Sequence, residues 1–302
     1  MDLRQLRYFS VLAEEKHFGR AAQRLSLSQP PLSLAIRQLE AELGASLFRR
    51  NSRNVELTSA GIALQREARV LLRRAEEARA LVKAVAEGKG GQLKVGFGGS
   101  MLYRGLPQIV DAFKAAAPST ELRLLELNSA EQALAIGSEE IDFGFIHGRA
   151  TPDGLSGFRY HAEPFVACLP QAHRHANARV LDLARLQAEE FVLFARSASP
   201  DYYQSIVSAC VSAGFTPNVR HEVRHWMSVV SFVANGMGVA LVPRTLRSSN
   251  VSGAVFVKIA GAGALSETWC VWKQDVEQRA GLHAMIDAAR GQARAMAGRQ
   301  VR

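Results

Sequence analysis

The chain has only three cysteines, Cys168, Cys210 and Cys270, far apart and in no CxxC pair. So odd and scattered a set argues against a disulfide framework or a zinc site, and fits a reducing compartment. Long apolar runs are also missing. No stretch approaches the ~20 apolar residues of a membrane span. Residues 1–18 are interrupted by charge every few positions, unlike a signal peptide. The expectation is a cytoplasmic chain with no membrane partner.

Signatures of catalysis are equally scarce. Gly96-Phe97-Gly98-Gly99 lacks the GKS/T of a phosphate-binding loop and the GxGxxG of a dinucleotide fold. His173-Arg174-His175 offers two imidazoles with no third metal ligand nearby. GxSxG, HExxH and a Cys–His arrangement are absent. The chain is expected not to be an enzyme, and to need neither cofactor nor metal.

What the chain does have is an uneven charge. Residues 1–90 hold 16 Lys and Arg against 10 Asp and Glu, whereas the remaining 212 hold 21 against 18. Most of the net +9 therefore sits at the N-terminal end, which suits a polyanionic partner.

In that basic end, Leu3, Leu6, Phe9, Leu12 and Ala13 form one apolar helical stripe. A short helix over 18–25 follows, with Ala21 and Ala22 where helices cross closely. Ser28 is placed as the N-cap of a third helix, with Gln29, Pro30 and Pro31 in the first turn, where missing amides cost little. Leu32, Ile36, Leu39 and Leu43 read as its buried side, and Gly44 as its stop. Gln29, Pro30, Ser33, Leu34 and Arg37 are left on the outer face. This is the order of a helix-turn-helix, whose second helix reads base edges with its N-terminal residues. Glutamine pairs two-fold with adenine, and serine bonds to bases or phosphates. Phe48, Val55 and Leu57 then anchor a hairpin tipped by Arg49, Arg50 and Arg53, a wing suited to phosphate or minor-groove contact.

Residues 1–61 resemble the N-terminal domain of LysR-type transcriptional regulators. The pattern RAAxxLxxSQPxLSxxIxxLExxLGxxLFxRxxRxVxLTxAG is matched from Arg20 through Gly61. The resemblance implies Gln29, Pro30, Ser33, Arg50 and Arg53 at double-stranded promoter DNA carrying an interrupted palindrome. Leu34 and Ala35 stand where many relatives have polar residues.

From Thr58, a candidate N-cap, to about Glu87 the sequence reads as one helix. Leu64, Ala68, Leu71, Ala75, Ala78, Val82 and Val85 alternate spacings of four and three, a coiled-coil seam suited to dimerisation. At ~1.5 Å per residue such a helix is about 45 Å long. Glu87–Gly91 reads as a hinge.

Residues 92–302 alternate strand and helix, with strands expected at 93–97, 122–127, 141–146, 165–169, 191–194, 219–223, 239–242, 255–259 and 268–272. Largely parallel sheets are expected. One nine-stranded sheet is possible, but the extended segment 158–169 and the late return at 267–273 fit two sub-domains better. That arrangement resembles the family's effector domain, which shares the type 2 periplasmic-binding-protein fold of two Rossmann-like halves. The expected plan is a winged helix-turn-helix (1–58), a linker helix and hinge (59–89) and an effector-binding domain (90–302). Sub-domain I would be 90–163 with 267–302, and sub-domain II 164–266.

Ligands of open α/β sheets bind beyond strand C-termini, near helix N-termini. That rule selects Ser100, Asn128 and Ser129, His147, and the segment with Tyr202 and Tyr203. Ser100 and Ser129 suit a carboxylate, with Tyr202 or Tyr203 closing over an apolar body. Ordinary N-capping explains the two serines as well, and a locally satisfied strand end explains His147. The resemblance adds Trp226 and Met227 to the cleft. The GFxGS, Asn-Ser and Asp-Tyr-Tyr segments resemble members answering small aromatic or dicarboxylic acids, such as benzoate or muconate. It also implies a homo-oligomer, dimer or tetramer, and RNA polymerase as a partner if the chain activates.

Two rival readings, a solute-binding receptor and an enzyme with an appended DNA domain, fail on the basic N-terminal 90 residues and on the missing catalytic residues. If the assigned roles hold, Gln29→Ala relaxes base preference. Arg50→Ala instead weakens binding on every sequence and flattens its salt dependence. Gel shifts on matched and mismatched duplexes across a salt series separate the two; equal effects of both changes on all sequences would contradict the assignment.

Overall fold

A computed structural model gives the fold, and it describes residues 1–50, 55–86, 91–261, 265–274 and 281–300. The chain divides into two compact units, Met1–Lys89 and Gly90–Arg302.

The first unit contains α1 (Leu3–Glu15), α2 (Phe18–Arg24), α3 (Gln29–Leu43), the hairpin strands β1 (Phe48–Arg50) and β2 (Val55–Leu57), and α4 (Ser59–Ala86). Asp2 and Gln5 cap α1 reciprocally. Between α2 and α3, Ser26 adopts a left-handed backbone (φ 56°) and Leu27 N–H returns to Ala22 C=O, which closes a tight turn. Leu6, Phe9, Leu12, Ala21, Ala22, Leu32, Ile36 and Leu39 fill the core, joined by Leu47, Phe48 and Ala68. The helical periodicity is therefore right through the middle of each helix and wrong at its ends. Leu3, the first residue of α1, and Leu43, the last of α3, are both exposed.

Ser28 occupies the N-cap position of α3, but its hydroxyl makes no capping bond. This corrects the expected role of that side chain. Two of the first three α3 residues are prolines without an N–H, so few amides remain for a cap to satisfy. Thr58 does cap α4, its Oγ1 accepting from Gly61 N–H at 3.0 Å. Leu64, Ala68 and Leu72 of α4 pack into the core of their own unit, while Leu71 and Val82 are exposed. The expected seam is thus divided between an internal contact and an open face.

The second unit comprises β3 (Gln92–Phe97), α5 (Leu106–Ala116), β4 (Glu121–Glu126), α6 (Ser129–Gly137), β5 (Phe143–His147) and β6 (Leu155–Pro170). It continues with β7 (Val180–Leu181), β8 (Glu190–Phe194), α7 (Pro200–Ser212), β9 (Asn218–Val223), α8 (Trp226–Ala234), β10 (Ala240–Pro243), β11 (Ala254–Ile259), β12 (Leu265–Lys273) and α9 (Leu282–Gln300). The main sheet runs β4-β3-β5-β12-β6-β11-β7, with β10 also on β6, and β8 pairs with β9. The expected largely parallel sheets are mixed instead. β12 runs antiparallel to β5 and β6, and β10 and β11 run antiparallel to β6.

Two large buried clusters lie along this sheet, beside a smaller one of Ala135, Ile136, Ile141, Ile146 and Val271. Of the large two, one gathers Val95, Phe113, Phe143, Phe145 and Met285, and the other Leu169, Phe191, Tyr202, Trp226 and Val230. The 16 residues of β6 link them, its first part pairing with β12 and its last part with β10 and β11. The two lobes are thus spliced through β6 and β12.

Gly61 sits where a Cβ would meet Leu47 C=O at 2.2 Å and the Leu57 side chain at 2.8 Å. Gly61→Ala must therefore push the wing off α4, at a cost of about 1–3 kcal/mol typical of overpacking. Thermal melts should show a lower transition assigned to the N-terminal unit, with DNA affinity lost at temperatures where the parent still binds.

Candidate nucleic-acid interface and effector cleft

In the first unit the buried stripe Leu32–Ile36–Leu39 fixes which face of α3 is free. Gln29, Pro30, Ser33, Leu34 and Arg37 together line one groove on that face. Gln29, Pro30 and Arg37 are exposed and Ser33 is half-buried. The wing is held to this helix by a contact the sequence did not reveal. Glu40 Oε1 accepts from Leu47 N–H at 2.9 Å and Phe48 N–H at 3.2 Å, so α3 itself caps the start of β1. The Phe48 ring also sits 5.3 Å from that of Phe9. In the hairpin Arg49 is exposed opposite Glu56, and Arg50 lies opposite Val55 in the ladder. Arg53 lies outside the described residues.

In the second unit the strand-end residues do converge, in a manner their spacing did not disclose. Ser100 lies in a 3₁₀ helix after β3, and His147 ends β5. Ser100 Oγ is 3.1 Å from His147 Nε2, and Arg104 Nη1 is 3.4 Å from His147 Nδ1. Arg104, which can only donate, and the Glu267 carbonyl, which can only accept, both neighbour the ring beside Ser100. Burial, with the neighbouring Arg104 charge, holds the His147 pKa well below its usual value, so the ring is neutral. Ser129 is not a cap. Asn128 caps α6 in a reciprocal box with Glu131, and Ser129 Oγ instead accepts His147 N–H at 3.0 Å.

The N-terminus of α6 also meets the opposite lobe. Ala130 N–H donates to Ala198 C=O at 3.1 Å, Ser199 Oγ lies 3.4 Å from Ser129 Oγ, and Arg224 Nη2 reaches Glu131 Oε1 at 2.6 Å. Tyr202 does not line an open pocket. Its ring packs edge-on to Trp226 at 4.6 Å, and its hydroxyl donates to Leu241 C=O. Trp226 is likewise core, Tyr203 is half-buried against the same cluster, and Met227 is exposed with its Sδ 4.0 Å from Tyr103 Oη.

Arg104 itself escaped the sequence reading. It is fully buried and paired with fully buried Glu163, Nη2 to Oε1 at 2.6 Å. Its remaining donors reach Thr268 Oγ1, Ser266 Oγ at 3.1 Å and Thr245 Oγ1 at 3.4 Å. Glu163 Oε2 accepts Thr245 N–H at 2.8 Å. Partners 43 to 164 residues away leave no local signature.

With this geometry in hand, comparison with known proteins adds two family matches. Residues 3–62 match the family described as bacterial regulatory helix-turn-helix protein, lysR family, and residues 86–294 match the LysR substrate binding domain. The chain is 34% identical over 279 residues to the HTH-type transcriptional regulator YnfL of Escherichia coli, covering 92% of this chain and 94% of that one. It is 35% identical to AlsR of Bacillus subtilis, covering 82% of each. Among solved structures, full-length CbnR complexed with its target DNA is similar at a TM-score of 0.78 and 27% identity, over 97% of this chain and 100% of that one. No described helix is long and apolar enough to cross a membrane.

Arg104→Met would strand the Glu163 carboxylate in the interior, with an expected loss of about 3–5 kcal/mol. Pairing it with Glu163→Leu should restore much of that loss, because no unpaired charge remains. Chemical denaturation of the three variants checks this; a single variant as stable as the parent would contradict the buried pair.

Proposed function

The chain belongs to the LysR family of DNA-binding transcriptional regulators, with a helix-turn-helix domain and a substrate-binding domain, and from that premise we propose how its residues divide the work. Residues 1–58 bind promoter DNA, 59–89 link and dimerise, and 90–302 take the effector. Gln29, Pro30, Ser33 and Arg37 meet base edges and flanking phosphates in the major groove, and Arg49, Arg50 and Arg53 hold the wing on the backbone. The open part of the α4 seam, with Leu71 and Val82 exposed, faces the same helix of a second copy, so that two modules read an interrupted palindrome. Tetramer formation and contact with RNA polymerase belong to the same reading.

The effector is a small organic acid held between the lobes, aromatic or dicarboxylic. The observation that carries this is the convergence at His147, with Ser100 Oγ 3.1 Å from its Nε2 and Ser129 Oγ 3.0 Å from its backbone nitrogen. In this reading Nε2 donates to Ser100 Oγ and leaves the Ser100 hydroxyl hydrogen as a donor for a carboxylate. The α6 amide now given to Ala198 C=O is a second donor that an anion could take over. Tyr103 and Met227 supply apolar surface beside them, and half-buried Tyr203 with buried Tyr202 and Trp226 backs the site from the core. Ser100 has no exposure to solvent, so a ligand reaches it only when the lobes part. Binding and lobe rearrangement are therefore one event, and changed lobe geometry alters the spacing or bend of the DNA contacts.

Benzoate and cis,cis-muconate, added to the full-length protein, are expected to raise its melting temperature and to move the footprint boundary on promoter DNA. Ser100→Ala should cut the response to acid by roughly tenfold or more, the loss of a charge-assisted hydrogen bond. An unchanged footprint at saturating acid would overturn the effector assignment while leaving the DNA role standing.

A further inference from the structure

Leu34 is the anomaly of the free face of α3. It is 56% exposed, in the part of the helix where Leu32, Ile36 and Leu39 turn inward; the other exposed leucine, Leu43, is the last residue of the helix. Residues four apart share a helix face, so that face carries two rows. Gln29, Ser33 and Arg37 form a polar row. Pro30 and Leu34 form an apolar row beside it, and all five line the same groove. Neither apolar residue can accept or donate a hydrogen bond through its side chain. In a major groove the one apolar feature that base edges present is the 5-methyl group of thymine.

We infer that Leu34, with Pro30 behind it, is a specificity-determining residue that packs on a thymine 5-methyl group in each half-site. The thymine lies next to the adenine read by Gln29, since the two rows are adjacent on one helix. This rests on the assignment of α3 to the major groove. Leu34 adds a sequence requirement that the polar row cannot impose. Serine and arginine at positions 33 and 37 find partners on several bases and on phosphate, whereas a leucine gains only where a methyl displaces water. Recognition through this row is also insensitive to salt, unlike the phosphate contacts of the wing.

The test uses full-length protein and duplexes selected by it from a random pool. Each thymine of a selected half-site is replaced in turn by deoxyuracil, which removes the methyl and leaves every hydrogen-bonding group in place. Affinity is read by fluorescence anisotropy at fixed salt. One replacement should weaken the parent about fourfold, the factor that ~0.8 kcal/mol for a buried methyl corresponds to. Leu34→Ala should bind the thymine duplex more weakly and lose the thymine-over-uracil preference, while Leu34→Met keeps it. A flat uracil scan, selected sites without a shared thymine, or equal discrimination by Leu34→Ala and the parent would each overturn the inference. Gln29→Ala and Arg37→Ala measured alongside separate the two levels. If both leave binding unchanged, α3 is not in the groove and the underlying assignment fails with it. If they weaken binding while the uracil scan is flat, only the role of Leu34 fails.

Discussion

A guanidinium without solvent contact is the constraint on which the second unit depends. Arg104 is placed in an interior that cannot hydrate it, so its donors must all be met by protein. Glu163, Thr245, Ser266, Thr268 and His147 meet them, and they come from separate segments of the chain. Glu163 belongs to β6 and the Ser266 and Thr268 hydroxyls to β12, the two strands that splice the lobes. Any rearrangement that pulled one of these strands away would leave a buried charge partly unpaired, at a cost of several kcal/mol. The spliced end of the lobes is therefore the stiff end.

The opposite end is held quite differently. Arg224 and Glu131 both stand largely in water, and such a pair contributes ~0–1 kcal/mol. The accompanying bonds from Ala130 to Ala198 and from Ser199 to Ser129 are single, uncharged contacts. Strong fixation at β6 and β12 with weak fixation at the α6 terminus is the mechanical description of a hinge. His147 touches both systems, through Arg104 on one side and Ser100 and Ser129 on the other, so it couples the stiff end to the labile one.

How much of this was legible in the sequence follows from how far each signal reaches. Most local signals held: Gly44 ends α3 in a left-handed conformation and Thr58 caps α4, whereas Ser28 makes no capping bond. Strand positions were read from short apolar runs, but direction was not, because antiparallel pairing of β6 with β12 is decided by residues a hundred positions apart. The rule that ligand residues follow strand ends selected Ser100, Ser129 and His147 singly. It could not show that His147 meets both serines, one through its ring and one through its backbone N–H. Tyr202 was misread because an aromatic in the first turn of a helix looks the same whether it faces a cleft or, as here, fills the core with its hydroxyl on Leu241 C=O. Arg104, in the stretch Leu102-Tyr103-Arg104-Gly105, has nothing nearby that distinguishes it from a solvated arginine.

The first unit shows the same division between what is rigid and what is left open. Glu40 reaches out of α3 to cap β1, Thr58 Oγ1 donates to Ser46 C=O, and Gly61 lies against Leu47 C=O. Recognition helix, wing and the start of α4 are therefore locked at one corner. Leu64, Ala68 and Leu72 extend that lock along the first turns of α4. The same helix presents Leu71 and Val82 exposed and outside that core cluster. A module fixed so firmly to one end of a long helix cannot adjust its wing and its recognition helix independently. Whatever shifts the start of α4 carries both as one body.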